Sequence, residues 1–259
     1  MIERLLPALT LWQREMVRFF RQRDRVVGAL ATPIVFWLLL GFGLGKSFST
    51  PTAPAGHGYL QYFYAGTMVM ILLFTAIFST ISVIEDRREG FLQAVLVAPV
   101  GRFAIVMGKL LGGATLALAQ GLIFLVFAPF VGATLTGTSV LWLVAVMALV
   151  SFALTGLGFV IAWQLNSTQG FHAIMNLFLI PLWLLSGAVF PASGAPTWLG
   201  WVMKLNPLSY GVAAIRAGLY WQQPRADAAM ALGVTVAFAV VMLVVSLIAA
   251  QRTTSGDLQ

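Results

Sequence analysis

The sequence contains no cysteine and few charged residues, and each absence excludes a class of protein. Without cysteine there is no disulfide framework, no thiolate metal site and no thiol nucleophile. Charged residues make up only 9% of the 259 residues, whereas average proteins contain about 25%. Hydrophobic residues make up 60%, so the composition is that of an integral membrane protein and not of a soluble domain.

Six apolar stretches are each long enough to cross a bilayer as a helix, which takes about 20 residues. Their apolarity is continuous and not alternating, so the sequence predicts helices rather than barrel strands. None contains an acidic residue, and Lys109 lies near enough to a span end for its ammonium group to reach the membrane surface. The predicted fold class is an all-α integral membrane protein with these six spans: Val26–Gly45, Tyr62–Ile84, Phe103–Val131, Val140–Trp163, Phe171–Phe190 and Ala228–Ala250.

Lysine and arginine are distributed unequally between the two sides of these spans. Eleven lie on the side of both termini and four on the other, and the more basic side of a membrane protein faces the cytoplasm. The sequence therefore predicts a multi-pass membrane protein with both termini in the cytoplasm. The net charge of +7 indicates contact with anionic membrane lipid and not with nucleic acid, because the basic residues flank apolar spans.

Residues 1–25, which precede the first span, are amphipathic. Apolar side chains recur at helical spacing with arginines between them, which predicts a helix lying on the cytoplasmic membrane surface. This helix is either a simple topology anchor or a lever attached to a part that moves. Its apolar positions are Leu5, Leu9, Trp12, Met16, Phe19 and Phe20.

Residues 191–227, between the fifth and sixth spans, are too apolar for an exposed loop and too interrupted for one span. They contain several Trp and Tyr residues, which favour membrane interfaces. The sequence predicts two short helices that dip into the outer leaflet and return, with protein covering their broken backbone. No repeat or separate soluble domain is evident, so residues 26–259 are predicted to form a single transmembrane domain.

No catalytic site, cofactor site or metal site is predicted in this chain. The segment GFGLGKSFS at Gly41–Ser49 is similar to a phosphate-binding loop, but Leu40 stands where that motif requires glycine. The two histidines, His57 and His172, lie on opposite predicted sides of the membrane and cannot share a metal ion. The chain is therefore predicted not to be an enzyme.

Small residues recur at four-residue spacing in the third span, at Gly108 and Gly112 and again at Gly113 and Ala117. This spacing favours close helix packing. The pattern leaves open whether the partner helix belongs to the same chain or to a second copy.

The loop EDRREGFLQAVLVAPVGR (Glu85–Arg102) concentrates charge at its two ends around an apolar middle. Acidic residues at its start (Glu85, Asp86 and Glu89) and a proline near its end (Pro99) predict a short amphipathic helix between them. The pattern alone leaves open whether this is a solvated connector or a contact for a soluble partner.

Two blocks of the sequence resemble the permeases of type-2 ABC exporters (ABC-2 permeases), most of all those for lipo-oligosaccharides (nodulation factors) and drugs. REGFLQAVLVAPV (Arg88–Val100) is similar to the cytoplasmic-loop signature of that family. LSGAVFPASGAPTWLGWVMKLNPLSYGVAAIRAGL (Leu185–Leu219) resembles its second block, with Asn-Pro-Leu-Ser-Tyr and a following arginine. With the spans and the N-terminal helix, the resemblance covers nearly the whole chain.

The resemblance implies that the chain pairs with a second copy, as a homodimer, and with two separate ABC ATPase subunits that hold ATP and Mg. In the family, the first cytoplasmic loop and the N-terminal helix contact the ATPase. Gln93 and Phe91 stand where relatives often carry glutamate and a small polar residue, which implies a more apolar contact here. Carried over to this sequence, the coupling residues are Glu85, Arg87, Arg88, Glu89, Gly90 and the stretch from Phe91 to Pro99, flanked by Arg14, Glu15, Arg18 and Phe19.

The resemblance also implies an outer gate at Asn206, Pro207 and Tyr210, in the segment that closes the outer mouth of the transport pathway in the family. Aromatic residues on the second and fifth spans are candidates for lining that pathway, namely Phe63, Tyr64, Phe74, Phe78, Phe178 and Trp183.

The function that the resemblance implies is ATP-driven export, across the bacterial cytoplasmic (inner) membrane, of an amphipathic or lipid-linked substrate such as a lipo-oligosaccharide, a polysaccharide or a drug. The predicted spans carry no intramembrane charge that could select an ion. One alternative is a non-transporting scaffold subunit in envelope or cofactor biogenesis. A second alternative is a secondary transporter, against which the lack of internal repeats counts.

Overall fold

The computed structural model describes residues 2–21, 23–44, 58–98, 100–220 and 225–252, and these contain no strand. The predicted all-α architecture is confirmed for this part of the chain. The predicted site residue Pro99, His57 and most of the glycine-containing segment after Gly43 lie outside the described residues. The α-helices are, in chain order, α1 (Ile2–Arg21), α2 (Arg23–Gly43), α3 (Tyr59–Ser79), α4 (Ile81–Arg88), α5 (Phe91–Val97), α6 (Arg102–Leu125), α7 (Gly137–Gln164), α8 (Thr168–Trp183), α9 (Thr197–Leu205), α10 (Pro207–Tyr220) and α11 (Arg225–Arg252).

Five helical stretches of the described chain are long and apolar enough to cross a membrane. They correspond to the second through sixth predicted spans. At the first predicted span, the apolar stretch of α2 that the structure describes is Ala31–Gly43. The five stretches are Tyr59–Arg88, Arg102–Leu125, Gly137–Gln164, Thr168–Ala188 and Ala226–Arg252.

Helix α3 is the centre of the bundle. Its apolar side chains point in all directions and nearly all of them are buried, as expected for a helix without a polar face. Helices α2, α6 and α7 pack around it. Helix α11 packs mainly on α7 and leaves much of its apolar surface exposed, which is the surface expected to face lipid.

The long helices alternate in direction, and the bundle therefore has two ends. At one end the last turn of α4 contacts the last turn of α7, through Arg87 and the carbonyl of Trp163. We call this the basic end, because α1 and the last turn of α11 also lie there. At the other end, which we call the distal end, the start of α3 contacts the turn that follows α8, through the Tyr62 hydroxyl and the carbonyl of Gly187.

Glycines on α6 allow α1 to pack closely against it. A Cβ atom at Gly108 would lie 2.7 Å from the Cβ of Leu11, and one at Gly112 would lie 2.9 Å from the Cβ of Glu15. The small-residue spacing in the third predicted span therefore serves packing within the chain. On the other side of α6, Gly113 makes room for Ser79 and Thr155 in the same way.

Three predicted boundaries differ from the structure. Helix α6 ends at Leu125, before Val131, and a 3₁₀ turn containing Pro129 follows it. The fifth predicted span is interrupted by a π-turn at Leu184–Ala188. The predicted loop at Glu85 begins later, because Glu85 to Arg88 continue the span as α4 after a short irregularity at Thr80.

We predict that Gly108→Val separates α1 from α6. The added side chain collides with Leu11 and with the backbone carbonyl of Ala8, and such overpacking costs about 1–3 kcal/mol. In a chain without native cysteine, a Leu11→Cys probe should then react faster with a thiol reagent. Gly233→Val is the matched control, because no atom lies within 4 Å of a Cβ atom there. Equal reaction rates in the two variants would contradict this account of α1 packing.

Candidate functional site: an ion cluster at the basic end

Asp86 is a fully buried carboxylate near the end of α4, at 0% exposure, and two arginines of α1 neutralise it. Arg14 donates two hydrogen bonds to it, at 2.9 and 2.7 Å. Arg18 donates one to Asp86 at 2.9 Å and another to Glu85 at 2.7 Å. Because a paired guanidinium fixes carboxylate geometry, these bonds hold α1 against α4.

Lys109 of α6 completes the cluster from the opposite side. Its ammonium group donates to Glu15 at 2.6 Å and to the Ser82 hydroxyl at 3.1 Å, and it also contacts Asp86. The expectation that Lys109 reaches the membrane surface is therefore wrong. The close approach of α1 at Gly112 brings the Glu15 carboxylate next to the ammonium group, so the charge is paired inside the protein.

Three cations (Arg14, Arg18 and Lys109) each pair with carboxylates in this cluster, which are Glu15, Glu85, Asp86 and, at its exposed edge, Glu89. The hydrogen bonds that Arg14 donates to Asp86 raise the pKa of Arg14 above its ordinary value, although burial opposes the shift. Buried ion pairs require such partners, since an unpaired buried charge is strongly destabilising. The cluster therefore fixes three helices, α1, α4 and α6, to one another.

Arg87 binds the end of another helix and does not extend into solvent. Its guanidinium donates to the carbonyls of Trp163 at 2.5 Å and Leu165 at 3.1 Å, and to the side chain of Asn166 at 2.8 Å. The last carbonyls of an α-helix lack helical partners, and a cation there also complements the helix dipole. Arg87 thus joins α4 to the turn between α7 and α8.

Arg102 makes the same kind of contact at the other end of the predicted coupling loop. One of its terminal nitrogens donates to the carbonyls of Ala250 and Gln251, both at 2.6 Å, in the last turn of α11. Arg87, near the start of the loop, and Arg102, at its end, therefore each donate hydrogen bonds to the C-terminus of another helix. This arrangement fixes both ends of the loop to the bundle.

The exposed part of the loop is α5 and the turn before it. Arg88 and Glu89 are exposed, and Gly90 has a φ of +76°, a left-handed conformation that favours glycine. Phe91 is half-buried under the Arg14 guanidinium, which lies 3.7 Å from its ring centroid. Leu92 is buried, whereas Val97 at the end of α5 is 80% exposed, so α5 presents an apolar surface at the basic end.

The structure thus brings together part of the predicted coupling set and adds residues that the sequence reasoning missed. Arg14, Glu15, Arg18 and Glu85 meet as one cluster, but Asp86 and Lys109 had no assigned role. One feature of the sequence indicates that Asp86 and Lys109 could pair: an aspartate follows the second predicted span and a lysine lies near the start of the third. Which residues pair across α1, α4 and α6 depends on tertiary packing.

At the distal end, the predicted gate residues connect α8 to α10. The Asn206 side chain accepts from the backbone of Leu208 at 2.9 Å, which caps α10, and donates to the carbonyl of Leu182 at 2.7 Å. Pro207 occupies the first position of α10, where a missing N–H costs nothing. Tyr210 donates to the carbonyl of Lys204 at 3.0 Å.

Two of the predicted pathway aromatics, Phe74 and Phe78, line an open cavity of about 400 Å³. His172 contacts the Phe78 ring at 5.2 Å between centroids. Phe178 is exposed on α8. The complete lining is Phe19, Thr32, Pro33, Met70, Phe74, Thr75, Phe78, Ser79, Ile81 and His172.

The other three predicted pathway aromatics are buried against protein within this chain. Phe63 and Tyr64 are fully buried on α3, and Tyr64 donates to the carbonyl of Phe124 at 2.7 Å. Trp183 donates to the carbonyl of Gly66 at 2.8 Å. These contacts pack α6 and α8 against α3, so the three side chains support the bundle wall from inside.

Among the described residues, no three His, Asp or Glu side chains could hold a metal ion.

A bundle of long apolar helices, with paired charges at one end and a broken helix at the other, defines a multi-pass membrane protein. The sequence model described as ABC-2 type transporter matches residues 8–220. The chain therefore belongs to the ABC-2 type transporter family, a family of transport permeases.

Individual relatives agree with this family. Nodulation protein J of Sinorhizobium fredii is 28% identical over 256 residues, covering 96% of both chains. Nodulation protein J of Rhizobium leguminosarum bv. viciae is 27% identical over 241 residues, covering 92% of this chain and 91% of its own. The ycf38 protein of Cyanophora paradoxa is 27% identical over 208 residues, covering 80% of this chain and 71% of its own.

We predict that Asp86→Asn destabilises the folded chain by about 3–5 kcal/mol, the cost of removing one partner from a buried ion pair. The change leaves three buried or half-buried cations with one carboxylate fewer. Thermal unfolding of the purified protein in mild detergent measures it. Glu89→Gln is the control, because that side chain is 61% exposed and lies 3.7 Å from Arg18; its effect should be below about 1 kcal/mol. Equal stability of the two variants would show that the cluster does not hold the helices together.

A second prediction separates Arg87 from Arg88. Arg87→Gln should raise amide hydrogen exchange at residues 163–168 by about tenfold or more, since hydrogen bonds from charged groups contribute about 1.5–3 kcal/mol. Arg88→Gln should leave exchange there unchanged, because Arg88 is exposed. Unchanged exchange in the Arg87 variant would contradict its role in joining α4 to α7.

Proposed function

We propose that the chain is the membrane subunit of an ATP-driven exporter, and that α5 is the surface on which a separate ATPase docks. Membership of the ABC-2 family supports the class. The observation that carries the docking site is the exposed apolar end of α5, with Val97 at 80% exposure, on a loop whose two ends are fixed to the bundle. Singly exposed apolar side chains are common on proteins, so Val97 supports the docking site only together with the fixed ends of the loop and the loop signature that the sequence resemblance gives.

The basic end is proposed to face the cytoplasm, with both termini on that side. Described arginines concentrate there, on α1, α4 and the start of α6, whereas Lys204 and Arg216 lie at the distal end. Helix α1 supports this orientation. Its buried face contacts α6, while Leu9 and Phe20 are exposed and suit insertion into the membrane surface.

Six spans are proposed, with α2 as the first and residues 26–259 as one transmembrane domain. Helix α2 runs antiparallel to α3, and the Trp37 indole donates to the carbonyl of Leu60 at 3.1 Å. Helices α9 and α10 are the proposed re-entrant pair in the outer leaflet. Their broken backbone is bonded to α8 through Asn206, as non-spanning segments within a membrane require.

In the proposed mechanism, ATP and Mg bind to two ATPase subunits, and their movement pushes on α5. Because the loop is fixed at Arg87 and Arg102, the displacement passes to α7 and α11. The ion cluster passes it to α1 and α6. In this account α1 acts as a lever and not merely as an anchor. The bundle then shifts between inward-open and outward-open states.

The transport pathway is proposed to lie between this chain and a second copy. The α8 face that carries Leu177 and Phe178 is exposed and apolar, and the cavity beside Phe74 and Phe78 opens near α8. Because its lining is mainly apolar with a few hydroxyl groups, we propose an amphipathic or lipid-linked substrate. A lipo-oligosaccharide is one such substrate, as the sequence resemblance implies.

We predict that the double change Glu89→Gln and Gly90→Val abolishes transport and transport-coupled ATP hydrolysis while the chain still folds into the membrane. A β-branched residue is strained at the positive φ of Gly90, so the turn that orients α5 is lost. Co-purification of an ATPase from native membranes, followed by ATPase assays in vesicles, measures the effect.

The control for this experiment is the pair Asp227→Asn and Gly233→Val on α11. Asp227 is exposed and Gly233 has open space around it. This control should retain the ATPase. If neither the parent chain nor the control ever binds an ATPase, the scaffold alternative replaces the exporter; if the double variant still transports, α5 is not the coupling element.

A further inference from the structure

Helix α8 is broken near the distal end. The chain passes from α8 into a π-turn at Leu184–Ala188, and inside that turn Gly187 adopts a left-handed conformation with a φ of +74°. Pro181 lies one turn earlier and cannot donate a backbone hydrogen bond. A helix interrupted in this way can bend at the interruption.

Side chains from two other helices bind the carbonyls of the broken segment. Gly187 accepts from the Tyr62 hydroxyl of α3 at 2.8 Å and from the Arg216 guanidinium of α10 at 3.2 Å. Val189, just beyond the turn, accepts from the Tyr59 hydroxyl at 3.1 Å. The geometry of the break therefore depends on α3 and α10 together.

The π-turn packs closely against α3, which fixes its position. A Cβ atom at Gly66 would lie 2.4 Å from the carbonyl oxygen of Ala188, so the α3 backbone and the π-turn are in direct contact. The buried Ser186 side chain bonds back to the carbonyl of Trp183 at 2.6 Å. The π-turn is thus held in place by α3 on one side and by α10 on the other.

Arg216 differs from the cations at the basic end in the chemistry of its partners. Among the described residues it forms no ion pair; instead its guanidinium lies 4.2 Å from the centroid of the Tyr62 ring, and its Nε is buried without a hydrogen-bond partner. A neutral carbonyl and an aromatic face hold a cation more weakly than a buried carboxylate does. The contact of Arg216 with Tyr62 and Gly187 can therefore break and re-form more easily than the Asp86 cluster.

We propose that Arg216, Tyr62 and the carbonyl of Gly187 form a latch that keeps the outer gate closed, and that its release lets the end of α8 swing away from α3. The proposal rests on the proposed export function, since a gate needs a pathway. It assigns Arg216 and Tyr62 as positioning residues of the gate. Asn206 ties α10 to α8 at Leu182, before the break, so α10 keeps its attachment while the latch opens.

The latch can be tested by the accessibility of one buried position. The chain has no cysteine, so Ser186→Cys introduces a single, nearly isosteric thiol beneath the latch. Intact cells or right-side-out vesicles carrying the full chain are treated with a membrane-impermeant maleimide, without added nucleotide. We expect slow labelling in this background, and about tenfold faster labelling after Arg216→Gln, because a charge-assisted contact is lost.

Tyr62→Phe removes only the hydroxyl and should also speed labelling, by several-fold; this variant decides the matter if Arg216→Gln fails to fold. Lys204→Gln is the matched control, because Lys204 is another distal-end cation over an aromatic ring, that of Trp201 at 5.1 Å, and it should leave the rate unchanged.

Slow labelling in both the Arg216 and Tyr62 variants would overturn the latch, as would equal acceleration by Lys204→Gln. The measurement needs no ATPase. Failure of the latch therefore remains distinguishable from failure of the export function, which the ATPase co-purification tests.

Discussion

The interaction on which the architecture of the basic end depends is the pairing of the buried Asp86 carboxylate with Arg14, Arg18 and Lys109. A fully buried carboxylate is tolerated only when cations and hydrogen-bond donors surround it. Those donors come from α1 and α6, so both helices must pack tightly beside α4. Glycine at position 112 of α6 meets that requirement, because it lets Glu15 approach Lys109.

The two ends of the bundle use different chemistry, and the difference matches their proposed roles. At the basic end, cations meet carboxylates or helix C-termini, which gives a firm connection between the proposed docking surface and the bundle. At the distal end, one guanidinium meets a carbonyl and an aromatic ring next to a helix break. In the proposed mechanism, the strong contacts at the basic end transmit a displacement to the bundle. The weaker contact at the distal end lets the gate open with a small change in free energy.

The helical membrane architecture, the charged loop and the family were all accessible from the sequence, because apolar length and short motifs are local features. The pairing of charges was not. Lys109 reads as a residue near a span end, and Arg87 and Arg88 are indistinguishable neighbours until α7 is placed beside one of them. Phe63 and Phe178 are both aromatics on apolar helices, yet one is buried and the other exposed, because only α3 lies at the centre of the bundle.

The most direct test of the central claim is to ask what touches α5. A photo-crosslinking amino acid placed at Val97, which is 80% exposed at the basic end, is compared with one at Leu205, which is 81% exposed at the distal end. The account predicts that irradiation of native membranes joins the chain at position 97 to a protein with a complete phosphate-binding loop, and that position 205 yields no such product. A crosslink to that protein at position 205, or none at position 97, would contradict it.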